Sequence, residues 1–257
     1  MIYILIILTV VGYIVYTNDT SKRKVEVAHI PIPKHWEALL EEHVLFYKRL
    51  NKEDRIHFKK RMQAFLSYVT IHPVDFELED LDILLVASSA VIPVFGFDNW
   101  NYPNIKKVII YPDYFNEDLD YKAKAKNKNI GGLVGNGAFD NKMILSRRAL
   151  HHGFANKTDK GNTGIHEFVH LLDKLDGSID GVPEALLQNE NISAWLDLVY
   201  EKMEAINKDR SDIRSYGGTS KEEFFAVAAE YFFERPMLLK RKHPELYKML
   251  AQCFIRT

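Results

Sequence analysis

The sequence predicts an α+β fold, rich in helix, with a small sheet in the middle of the chain. Three observations predict it. Helical periodicity dominates both ends, two short apolar runs bounded by turn residues lie between them, and 47% of the 257 residues are apolar. That is enough to bury a sizeable core. The 34 Lys and Arg nearly cancel the 35 Asp and Glu, leaving a net charge of -1. No basic excess is available to hold a phosphate backbone, so nucleic acid is not an expected partner. Cys253 is the only cysteine, which excludes an intrachain disulfide and a cysteine-based zinc site.

The first element is an apolar run from Met1 to Asn18, uncharged and interrupted only by Thr9, Gly12, Thr17 and Asn18. As a helix it would span about 27 Å, close to the hydrocarbon thickness of about 30 Å. No basic segment precedes it and no small-residue cleavage site follows, which disfavours a removable signal peptide. Lys22, Arg23 and Lys24 come directly after, so the positive-inside rule places the rest of the chain in the cytoplasm, anchored to the cytoplasmic membrane. The expected organisation is a transmembrane anchor over 1–18, a linker over 19–33 and one domain over 34–257. A buried N-terminal strand or helix in a soluble cytoplasmic protein is the alternative.

Trp36, Leu39, Leu40, Val44, Leu45 and Tyr47 recur at helical spacing, and Phe58, Met62, Phe65 and Leu66 repeat it after Asn51-Lys52-Glu53-Asp54. Leu81 to Ile92 reads as a buried helix. Lys107 to Tyr111 and Met143 to Ser146 read as strands, the second preceded by a glycine-rich turn over Gly131 to Gly137. His151 and His152 are expected in a solvated turn after that strand. Helices then follow at Ile165 to Leu175, Ile192 to Ile206, Lys221 to Phe233 and Pro244 to Phe254, with Lys240-Arg241-Lys242 at a helix end.

The chemistry concentrates in His166-Glu167-Phe168-Val169-His170. Residues four apart share one helix face, so both imidazoles can reach one metal ion, with Glu167 beside them as a base for water. Ile165, Val169 and Leu172 form a buried stripe, and Asp176-Gly177 supplies a stop. A catalytic zinc needs a third protein ligand. Asp173 and Asp176 occupy the places where a metzincin would carry its glycine and third histidine, so a carboxylate from a later helix is required. Glu184, Glu190, Glu201, Glu204, Glu222, Glu223 and Glu230 are the candidates. Glu223 and Glu230 stand out because they lie two turns apart on one face of an apolar segment; spacing does not choose between them. Asp173 is placed to orient a ligand imidazole, and Met143 to Ser146 either offers a sheet edge for an extended peptide or is a central strand. No GxSxG or GxxxxGK[ST] pattern is present.

Gly161 to Asp173, Asp176-Gly177, Asp180 to Pro183, Tyr216-Gly217, Glu223-Phe-Phe-Ala226 and Glu230 to Phe233 together resemble the Mlc titration factor A family. These are zinc-dependent peptidases with a fold similar to the catalytic domain of anthrax lethal factor. The resemblance runs strongly from about Val108 to Phe254 and leaves out the N-terminal run. It implies a zincin-like metallopeptidase domain with one Zn²⁺ held by His166, His170 and Glu223. Glu167 and Tyr216 would then be catalytic, with Glu230 in support. It further implies a peptide or protein substrate, aminopeptidase-type cleavage, and a link to sugar-uptake regulation through a transcriptional repressor. A non-catalytic protein that sequesters such a regulator, with a structural or vestigial zinc site, is the competing expectation.

Overall fold

The computed structural model describes residues 32–97, 100–134, 140–156, 158–187 and 189–255. The expected anchor and most of the expected linker lie outside them. Among the described residues, no helix is long and apolar enough to cross a membrane. Ile32, at the end of the expected linker, packs against the core.

The N-terminal helices α1 (Trp36–His43), α2 (Leu45–Lys48) and α3 (Lys52–Tyr68) fold where periodicity places them. Asn51 caps α3 by accepting the Asp54 backbone N–H at 2.8 Å. Strand β1 (Thr70–Pro73) follows, then α4 (Asp80–Val91), which is buried from Leu84 to Val91. Strands β2 (Lys107–Tyr111), β3 (Gly132–Val134) and β4 (Lys142–Ser146) complete a mixed sheet in the order β1-β2-β4-β3. β1, β2 and β4 are parallel, while β3 runs antiparallel to β4. Sequence patterning misses β1 because it is short, largely exposed and ends in proline. It misses β3 because that strand opens in the glycine-rich stretch read as a turn.

Two expectations are corrected here. Met143 to Ser146 is not an edge: β4 lies between β2 and β3 with all four side chains buried, so it cannot accept a further strand. Among the described residues, the outer edge on that side belongs to β3. His151 and His152 are not in a turn but on α5 (Arg147–Ala155), capped by Ser146 Oγ accepting the Ala149 N–H at 3.1 Å. The helix is amphipathic, burying Ala149, Leu150, Gly153 and Phe154 at i, i+1, i+4 and i+5. His151 pairs with buried Asp82 at 2.6 Å and so ties α5 to α4.

The remaining helices are α6 (Thr163–Asp173), α7 (Ile192–Asn207), α8 (Lys221–Glu234), α9 (Pro236–Lys242) and α10 (Pro244–Phe254). α6 runs through the middle of the molecule, with every side chain from Ile165 to Asp173 buried. It packs on α4, on β3 and β4, and on α8. A Cβ on Gly164 would collide with Ser89 Oγ of α4, so glycine permits the close approach of these two helices. Asn104 donates to the Leu171 carbonyl at 2.9 Å and holds the far end. Gly177, at φ 111°, terminates the segment as the Asp176-Gly177 pair predicts.

Candidate metal centre

Helix α6 begins at Asn162, whose side chain accepts the Ile165 N–H at 3.1 Å. One turn apart on the same face, His166 and His170 bring their Nε2 atoms to 3.1 Å. The third group comes from the first turn of α8, which Ser220 caps. There Glu223 Oε2 lies 3.0 Å from His166 Nε2 and 3.7 Å from His170 Nε2. Among the described residues these three form the group of ligand atoms able to hold a metal ion, all within 4.8 Å of one another.

The donor set fits zinc. Tetrahedral donors at about 2.0–2.1 Å from the ion stand roughly 3.3 Å apart, and the three separations bracket that value. Glu223 Oε2 is buried and makes no hydrogen bond of good geometry, as an atom aimed at a shared centre should. Burial opposes its ionisation, but the two imidazoles, His166 and His170, hold the Glu223 carboxyl well below the usual carboxylate range.

Glu230 serves differently. Two turns along α8 and 1% exposed, it accepts from His166 Nδ1 at 2.8 Å, from the Asn162 backbone N–H and from the Arg214 guanidinium. A hydrogen on Nδ1 leaves the Nε2 lone pair free for a metal. Burial disfavours the His166 cation, but the Glu230 charge, the close approach of Glu223 and the bond to Glu230 outweigh it, raising the pKa to about 10 in the absence of metal. Among the described residues His170 has no equivalent partner: its Nδ1 is buried and unbonded. Asp173, expected beside it, instead accepts the Gly181 N–H at 2.8 Å through one oxygen and leaves the other unbonded. Burial pushes the Asp173 carboxyl up to about 7.

Glu167 is buried against β3. A Cβ on Gly132 would lie 2.5 Å from its Oε1, so only glycine leaves room for this carboxylate. Burial raises its pKa, opposed by the charges of His166 and His170. Tyr216 lies on the turn Ser215–Gly218, half exposed, with its ring 6.0 Å from that of His166. Burial together with the charge of nearby Glu223 raises the Tyr216 pKa to about 12. A polar cavity of about 440 Å³ opens beside these groups, walled by Gly132, His166, Glu167, Arg214 and Tyr216. His152 also borders it, 3.8 Å from Asp159, and takes no part in the ligand group.

The convergence of two histidines and a glutamate around one point, with a buried carboxylate alongside, agrees with the sequence relationships. Residues 18–255 match the family described as glucose-regulated metallo-peptidase M90. The chain belongs to that family. It is 28% identical to an uncharacterized protein of Synechocystis over 98% of this chain and 95% of the relative. It is 25% identical to Mlc titration factor A of Pectobacterium atrosepticum, over 86% and 85% of the two chains. Mlc titration factor A of Escherichia fergusonii is likewise 25% identical, over 85% and 84%.

The structure brings together all five residues singled out from sequence: His166, Glu167, His170, Tyr216 and Glu223. Sequence reasoning missed Gly132, whose glycine-rich surroundings read equally well as a turn, and Arg214, whose carboxylate partner lies 16 positions away on another element.

Proposed function

We propose that the chain is a zinc-dependent peptidase in which His166, His170 and Glu223 hold the ion. The observation that carries this reading is the 3.0–3.7 Å convergence of the three donor atoms next to buried Glu167. When bound, zinc supplies a Lewis acid and lowers the pKa of water to about 7. The side chains do the rest. Glu167 takes the proton of the attacking water and delivers it to the leaving nitrogen, a task helped by a carboxyl pKa raised through burial. Tyr216, on the cavity wall, donates its hydroxyl to the oxyanion, a kind of contact worth about 10²–10³ in rate. The edge of β3 offers backbone groups to an extended peptide, with the carboxylate of Glu167 packed against Gly132 of the same strand. Cleavage from the amino terminus, and anchorage by residues 1–18 with the domain in the cytoplasm, belong to the same reading.

A second reading is supported by the name of the relatives, Mlc titration factor A: titration of a regulator by binding rather than cleavage. One experiment separates the two. Glu167→Gln should keep about one zinc per chain and lower peptide hydrolysis by about 10²–10⁴. Glu223→Ala should lose both zinc and hydrolysis. Parent protein that carries no zinc after reconstitution would sink the peptidase reading; a regulatory effect intact in Glu167→Gln would establish the binding role.

A further inference from the structure

Arg214 sits in the wall of the cavity, on the side opened by the loop before α6. Its guanidinium touches Glu230 through one terminal nitrogen, and Glu230 in turn accepts from His166. A single carboxylate therefore separates this cation from a metal-ligating imidazole. Glu230 does not use up the guanidinium. Arginine carries five N–H donors in a planar fork; among the described residues one terminal nitrogen binds Glu230 and Nε is buried without a partner, so the other terminal nitrogen is the donor left for the cavity. The side chain is about one-third exposed, and its open face is left to the cavity.

The chain fixes this cation in place. Ile213 is buried, and Asp212 binds Lys160 at 2.7 Å, Tyr231 Oη at 2.8 Å and His243 Nε2 at 2.8 Å. At the other end, Asn207 donates to the Gly218 carbonyl at 3.1 Å. Gly161 lies flat on the guanidinium: a Cβ there would stand 3.3 Å from Cζ and 3.4 Å from one terminal nitrogen. A held, incompletely used guanidinium in a polar cavity is placed to receive an anion by a charge-assisted hydrogen bond.

We infer that Arg214 is a specificity-determining residue that receives a carboxylate of the substrate, from a residue adjoining the scissile bond. The inference rests on the peptidase reading for its meaning, but binding tests it without turnover. Two sources share this chemistry, an acidic side chain and a free C-terminal carboxylate. The probes are alanine hexapeptides in which Glu or Gln is scanned through each position, each made with a free and an amidated C terminus. They are titrated calorimetrically into the zinc-loaded, full-length Glu167→Gln protein.

The carboxylate member of one pair should bind about tenfold to a hundredfold tighter than its amide isostere. Preference for Glu over Gln identifies a side chain as the source; preference for the free over the amidated terminus identifies the C terminus. In either case the ratio should collapse towards one when Arg214→Gln is added. Because that change also deprives Glu230 of a partner, Gly161→Ala is the second variant. It crowds the guanidinium by a few tenths of an ångström, keeps the charge, and should lower the same ratio in part while zinc content stays at the parent level. Equal binding within every pair, or a preference that survives Arg214→Gln, overturns the assignment. Failure of the zinc-loaded parent to cleave any probe, with the binding preference intact, removes the peptidase reading and leaves the carboxylate site standing.

Discussion

His166 and His170 occupy one face of one helix, one turn apart, and present their Nε2 atoms to the same point. Their far sides differ. His166 Nδ1 meets Glu230, which also takes the Asn162 N–H and Arg214; His170 Nδ1 is buried with nothing bonded to it. The helical repeat alone supplies the near side, because residues at i and i+4 necessarily share a face. The far side depends on what other elements bring. α8 happens to deliver a carboxylate to one imidazole, while Asp173, three residues beyond the other, is drawn off to the Gly181 turn.

The largest effects should erase this distinction. His166→Ala and His170→Ala should each reduce zinc in the purified chain from about one equivalent to near none, since neither remaining pair makes a closed site. Retention of zinc by one variant would mean that the two imidazoles are unequal as ligands as well. The distinction itself should appear at Glu230. Replacing it with Gln weakens the anchor of His166 and is expected to lower zinc affinity by about 10–100-fold, measured by competition with a chromophoric chelator. An unchanged affinity would break the comparison, because it would make the Nδ1 contact irrelevant to the metal.

Asp173→Asn should have the smallest effect on zinc, well under about tenfold, because no hydrogen bond joins Asp173 to His170. Its signature is a pH dependence of stability. Burial raises the folded-state pKa from 3.8 to about 7, so folding favours the protonated acid. The contribution of this group is therefore fully favourable below about pH 4 and is lost as the pH rises towards about 7. Metal-free Asp173→Asn should consequently gain on the parent in melting temperature between these limits and level off above them. A difference that stays flat from pH 4 to pH 8 would show that the carboxyl keeps its ordinary pKa in the fold.

How much was legible beforehand follows the range of each interaction. Asn51, Asp176-Gly177 and the buried stripe of α6 act within a few residues of themselves, and the sequence carries them openly. β1 and β3 were hidden because a short edge strand buries too little to impose alternation. α5 was hidden because Arg147, Arg148, His151 and His152 make its exposed face so polar that its buried stripe is easily overlooked. Gly132 belongs to this group too: its meaning is the closeness of Glu167, an element away, whose Oε1 would stand 2.5 Å from a Cβ at that position.

By itself the sequence determined the α+β class, the pairing of His166 with His170, the position of Glu167 between them and the short set of carboxylates able to complete the site. Local periodicity fixes these, since a helix dictates which of its own residues face together. Only the tertiary structure decided that Glu223 meets both imidazoles while Glu230, on the same helix face, binds the back of one. The packing of α8 on α6 sets Glu223, in the first turn of α8, beside the Nε2 atoms and Glu230, two turns on, beside Nδ1 of His166. It likewise decided that β3 rather than β4 forms the edge near the site, and that Arg214 stands beside the cavity. Each of these depends on distances between elements far apart in the chain, which no residue spacing encodes.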